Sequence, residues 1–175
     1  MSCTRDNNTN QFLMRNLAWG LLCFVLFYAC KKESGCSYSD QNIVAPLNEQ
    51  QAVKDYLTTN NVYTALKDSS GFYYEILKDG DGNGSPSLCS QVELTYIGQL
   101  TNGTIFDQAS TAFTLGSSIE GLRKGLPFIK KGGHMKLYIP PTLAYGNKDV
   151  KDNNGAVVIP ANSILIFDIT LNSFY

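Results

Sequence analysis

The sequence predicts an α+β domain with an antiparallel β-sheet, preceded by a separate helix. Three observations lead there. "QVELTYIGQL" alternates apolar and polar residues with period two. Several further strand-like runs are bounded by Gly-, Asp- and Asn-rich turns. Only two short stretches carry helical spacing, and only one of them lies among the strands.

The helix that comes first is "EQQAVKDYLTTN", with Asn48 as its cap and Ala52, Val53, Tyr56 and Leu57 on one face. It is too short to stand alone. "FYYEIL" is the first strand, ended by the turn "KDGDGNGSP". In "QVELTYIGQL", Val92, Leu94 and Tyr96 face one way and Glu93, Thr95 and Ile97 the other. "TNG" predicts a type I′ hairpin turn, with "TIFD" as the return strand and "TAFTL" as a separate short one. "EGLRKGL" is a short helix that Pro127 ends. "KKGGH" is a turn, "MKLYI" a strand stopped by Pro140 and Pro141, and "SILIFDITLNSF" the closing strand.

The chain has 175 residues, 43% hydrophobic and 17% charged, with a net charge of -1. That allows a buried core and argues against nucleic acid, which needs clustered Lys and Arg. "LAWGLLCFVLFYAC" is almost wholly apolar but too short to span a bilayer, which takes about 20 residues. After Arg15 it reads as the core of a signal peptide over residues 1–29. Met14, just before Arg15, would give a more typical signal-peptide start than Met1. "FYAC" before "KKESG" resembles a bacterial lipoprotein cleavage site, which makes Cys30 the lipidated residue. Residues 30–47 then form a polar, lipid-anchored tether, 48–70 a helical spacer, and 71–175 the folded domain. Of five cysteines, only Cys36 and Cys89 remain for a disulfide. Cys36 in a tether and Cys89 at a strand start argue against that bond.

Two candidate sites are weak. Asp79, Asp81, Asn83 and Gly84 match the opening of a calcium loop, but Ser90 stands where a Glu is required and the flanks are strands. The sole histidine, His134, lies beside Gly132 and Gly133 with no acid–base partner in view, and is expected to be solvated. No Cys/His spacing fits zinc.

The words "VELTYIGQLTNGTIFD", "FTLG", "IEGLRKGL", "MKLYIPPTLAYG" and "VIPANSILIFDITL" occur in that order from Gly71 to Tyr175. Together they resemble the FKBP-type peptidyl-prolyl cis-trans isomerase domain, in the form found in bacterial lipoproteins. The resemblance implies a sheet wrapped around a short helix. It implies an isomerase that needs no cofactor and acts on proline-containing polypeptides in the cell envelope. Tyr96, Phe106, Asp107, Tyr145 and Phe167 would carry the reaction. Phe113, Ile119, Leu122, Val158 and Ile159 would bind the substrate, with Ile119 also offering its backbone N–H. The segment "QASTA" is shorter than in familiar members, an arginine that often pairs with the aspartate is missing, and Thr111 and Leu122 replace aromatic residues. The loop "NKDVKDNNGAV" is longer and more polar. A non-catalytic module that holds proline-containing segments as a chaperone or scaffold is the alternative.

Overall fold

A computed structural model describes residues 36–175. The stretch read as a signal peptide, residues 1–29, and the expected lipidation residue Cys30 lie outside these residues. Ten elements carry the fold: α1 (Leu47–Thr59), β1 (Leu66–Lys67), β2 (Tyr73–Lys78), β3 (Gln91–Leu100), β4 (Ile105–Thr114), α2 (Glu120–Gly125), β5 (His134–Ile139), β6 (Val150–Lys151), β7 (Val157–Ile159) and β8 (Leu165–Phe174). Six strands form one antiparallel sheet in the order β1-β2-β5-β8-β3-β4. β6 and β7 pair separately within the long polar loop, whose turn is held by the Asp152 carboxylate accepting the Asn154 and Ala156 amides. The α+β class, the antiparallel sheet and the short helix are as expected.

Each face of the sheet buries its own cluster. Met135, Leu137 and Ile139 of β5 and Leu165, Phe167, Ile169 and Leu171 of β8 point to the side that holds α2 and Leu126. Tyr138 and Ile166, one residue out of step, point to the other side, against Val53 and Leu57 of α1. The apolar residues of α1 therefore have a partner. Ala52, placed on the same face by spacing, is exposed.

Several elements differ from expectation for identifiable reasons. Asn48 lies inside α1, whose N-cap is Pro46, without a side-chain cap bond. β1 pairs with β2, so the sheet begins before residue 71 and α1 packs on the domain. "TIFD" and "TAFTL" are one ten-residue strand, because Gln108–Ala112 pair without a break against Glu93–Ile97. Of the hairpin residues only Gly103 is left-handed (φ 85°), so a type I′ turn, which needs two such residues, is ruled out. Gly103 N–H instead donates to Leu100 O (2.9 Å), and the Asn102 carboxamide accepts the Thr104 N–H. Pro127 does not stop the chain at once but sits in a 3-10 turn, Leu126–Phe128, that tightens the end of α2.

From Cys36 on, the polar segment expected as a lipid-anchored tether is pinned along α2. Cys36 forms a disulfide with Cys89 (Cα–Cα 5.7 Å). The Arg123 guanidinium donates to Ser39 O (2.6 Å), and the Lys124 ammonium pairs with Asp40 (3.1 Å). Lys124 and Arg123 also pair with the buried Glu120. Polar composition hid this docking, since the contacts are made by the backbone, a cysteine and charged side chains.

The disulfide closes a loop across 53 positions of sequence. In the chain-entropy account such a crosslink contributes about 4 kcal/mol. Cys36→Ser should lower the unfolding free energy by about 2–4 kcal/mol in urea titration of oxidised protein. Adding a reductant to the variant should cause no further loss.

Candidate functional site

A pocket of about 300 Å³ opens between the inner face of the sheet and the segment running from β4 into α2. Leu94 and Tyr96 of β3, Phe106, Asp107 and Phe113 of β4, and Phe167 and Ile169 of β8 form its sheet side. Ser117, Ser118, Ile119 and Leu122 form the opposite wall, and Tyr145 stands at the mouth, 42% exposed. Eight of the ten residues expected at the site on sequence grounds line it: Tyr96, Phe106, Asp107, Phe113, Ile119, Leu122, Tyr145 and Phe167. Val158 and Ile159 do not. Ile159 is buried in the core and Val158 packs against it. Leu94, Ser117, Ser118 and Ile169 line the pocket without having been singled out. The alternation of β3 and β8 could have found Leu94 and Ile169, because both share a face with a chosen aromatic.

The arrangement of β4 depends on one irregularity. Gln99 pairs with Ile105 and Gly98 with Asp107, so Phe106 is an extra residue opposite β3. Strict alternation would send Phe106 and Asp107 to opposite faces. The bulge lets both reach the pocket. Gly98 makes room for this. A Cβ there would stand 2.5 Å from Phe106 Cζ and 3.2 Å from Phe167 Cε1. The Phe106 ring meets Phe167 edge-on, with centroids 5.6 Å apart, and Tyr96 tilts onto Phe167 at 5.9 Å.

The polar side chains lining the pocket are Tyr96, Asp107, Ser117, Ser118 and Tyr145. The Tyr96 hydroxyl donates to Asp107 Oδ2 (2.6 Å). Burial, then the bond to Asp107 and its charge, push the Tyr96 pKa up to about 12. Burial and the Asp107 charge also raise Tyr145. Both phenols therefore stay protonated at neutral pH. Ile119 precedes α2 with extended backbone (φ -65°, ψ 154°), and its carbonyl accepts the Leu122 and Arg123 amides. Its own N–H has no partner in the chain among the described residues.

Tyr145 is set by the Pro-Pro break. β5 ends at Ile139, and Pro141–Leu143 form a 3-10 turn. The turn closes through Leu143 N–H to Pro140 O and Ala144 N–H to Pro141 O. Both Thr142 donors, the N–H and the hydroxyl, go to the Glu49 carboxylate on α1 (2.9 and 2.8 Å). His134, expected to be solvated, instead pairs with Asp168 (Nε2–Oδ1 2.5 Å). Asp168 alternates with Phe167 and Ile169 on β8, so this pair lies on the sheet face away from the pocket. The Asp79–Gly84 segment is a turn tied to Lys130 and Lys131 through backbone bonds. No group of three potential metal ligands occurs among the described residues.

The fold and pocket define a domain whose sheet curls around a short helix and presents an apolar, aromatic cleft with polar groups at its rim. The profile of the FKBP-type peptidyl-prolyl cis-trans isomerase domain matches residues 82–172, and the chain belongs to this family. It is 43% identical over 110 residues to the isomerase FkpA of Buchnera aphidicola, covering 60% of this chain and 41% of that protein. It is 36% identical over 124 residues to the peptidyl-prolyl cis-trans isomerase Mip of Coxiella burnetii, covering 67% and 51%. The crystal structure of FkpA from Escherichia coli superposes with a TM-score of 0.61 at 33% identity, covering 73% of this chain and 60% of that one. The chain thus spans about half or less of the curated relatives it matches.

Gly98→Ala should drive the Phe106 ring out of its place over β3. The overpacking should cost about 1–3 kcal/mol of stability in thermal or urea unfolding. The Phe106–Phe167 nuclear Overhauser contacts should weaken with it.

Proposed function

We propose that the chain catalyses cis-trans isomerisation of X-Pro bonds, with the proline ring seated among Leu122, Phe106 and Phe167. The observation that carries this reading is the pocket itself. It offers apolar walls, Tyr145 at its mouth, and on Ile119 a backbone N–H with no partner among the described residues. The amide bond resists rotation by about 18–20 kcal/mol because its C–N bond has double-bond character. X-Pro bonds populate both isomers but exchange slowly. Rotation breaks no covalent bond, so it needs no nucleophile or general base.

A catalyst has only to hold the twisted amide better than the planar one. The planar form is the more polar, so an aromatic pocket that strips water from it narrows the gap. Ile119 N–H and Tyr145 O–H would grip carbonyls on either side of the bond in the twisted geometry. The Tyr96–Asp107 bond would keep the charged carboxylate at the rim and fix the Tyr96 ring against the proline. Leu122 on the floor leaves a wider seat than an aromatic residue would.

The test is isomerisation of Leu-Pro and Phe-Pro tetrapeptides. Phe106→Ala should lower kcat/KM roughly 10- to 100-fold, the equivalent of one lost aromatic contact. Tyr145→Phe should lower it about 3- to 10-fold. No acceleration by the folded wild-type protein would sink the catalytic reading. The substitutions Thr111 and Leu122 then favour the second one, a module that holds proline-containing segments as a chaperone or scaffold without turning them over. Retained binding of those peptides would identify it.

We also infer that the protein works in the cell envelope, attached through a lipid on Cys30. The apolar run ending in "FYAC" supports this, as does a disulfide in a compact domain, which suits an oxidising compartment. Radiolabelled palmitate fed to expressing bacteria should appear in the wild type and not in Cys30→Ala. Equal labelling of both would exclude that anchor.

A further inference from the structure

β4 is the last strand of the sheet, and among the described residues no strand pairs with its outer edge. In an antiparallel pair every second residue turns its N–H and C=O away from the neighbour. On β4 those groups face out, and from Asp107 to Phe113 no backbone group of the described chain outside β3 bonds to them. The segment keeps one unbroken register with β3 over its whole length.

Sheet edges of this kind are usually blunted by proline, lysine, a bulge or a covering element. "DQASTAF" has no proline and no lysine. Its one charge, Asp107, is bonded to Tyr96 at the pocket rim. Gln108, Ser110 and Ala112 are exposed and unbranched at Cβ, and leave the backbone within reach. The one bulge, at Phe106, lies before this segment.

The edge is also continuous with the pocket. Asp107 at one end of the segment and Phe113 at the other both line it. A chain with its proline in the pocket must leave past one of the segments that border it, and β4 borders one whole side.

We propose that the β4 edge captures the polypeptide flanking the target proline by strand addition, so that the occupant is an extended, unfolded client chain. This rests on the isomerase reading of the pocket and adds to it where the rest of the substrate binds. Main-chain bonds supply the affinity, so flanking sequence matters little. A client that has folded into its own secondary structure has no free backbone to offer and would be released.

The experiment uses the full chain and three kinds of peptide around a Leu-Pro bond. One is a tetrapeptide. The second is extended by about six residues on each side, roughly one strand length. The third is the extended peptide N-methylated at alternate flanking amides, made as two interleaved sets. Affinity is read by fluorescence anisotropy and turnover by the isomerisation assay. The extended peptide should bind about 10-fold more tightly, as a few net backbone hydrogen bonds allow. One methylated set should abolish that gain and the other leave most of it, because strand addition uses every second amide. Scrambling the flanking side chains should change little.

No gain with length, a gain that survives both sets, or one lost equally with both overturns the proposal. Self-association in ultracentrifugation that extended peptide fails to reverse would assign the edge to a second copy and overturn it too. Absence of tetrapeptide turnover would remove the isomerase reading alone. The register dependence of peptide affinity would still decide whether the edge binds.

Discussion

Leu165, Phe167, Ile169 and Leu171 leave β8 on one side and Ile166 on the other, because successive residues of a strand alternate. β8 lies between β5 and β3 in the sheet, so this alternation is inherited by its neighbours through the register. Leu137 stands opposite Phe167, and Tyr138 opposite Ile166. One face thereby becomes the bed for α2 and the pocket, and the other the bed for α1. A slip of one residue would exchange the two faces and destroy both. The aromatic pocket exists because this strand is fixed from both sides.

Where strict alternation would fail the site, a local exception replaces it. The extra residue at Phe106 brings two neighbours, one apolar and one charged, to the same cavity. The space for the ring is taken from β3, at Gly98. The cost is a break in the ladder at the hairpin end of β4. Beyond it the strand runs without interruption to Thr114, and so one side of the pocket is bordered by a strand edge.

Much of this was legible from the residues. The alternation in "QVELTYIGQL" is the observed strand to the residue, and the aromatics expected at the site do converge. What alternation could not show is where it breaks. Nothing in "GTIFDQASTA" announces that Phe106 is supernumerary or that "QASTA" continues the strand, since Gln, Ala and Ser are poor strand signals. There pairing with β3 outweighs propensity. Val158 and Ile159 were placed by resemblance, and the β6–β7 hairpin turns Ile159 into the core instead. The disulfide and the docking of residues 36–41 were hidden because polar composition reads as a linker, while their bonds are to residues far along the chain.

The least visible link ties α1 to Tyr145. Pro140 and Pro141 stop β5 because neither has an N–H to give the ladder. The same lack shapes the turn that follows. Leu143 and Ala144 bond back to the two proline carbonyls, which leaves Thr142 as the one N–H of the turn without a partner inside it. Glu49 takes that N–H and the Thr142 hydroxyl together. A paired donor at a partly buried position matters because leaving it unmade costs about 1–3 kcal/mol. Glu49 can reach it only because Val53 and Leu57, on the same helix, are buried against Tyr138 and Ile166. The helix that looked like a spacer therefore braces the turn from which Tyr145 reaches the pocket, through the face of the sheet that the pocket does not use.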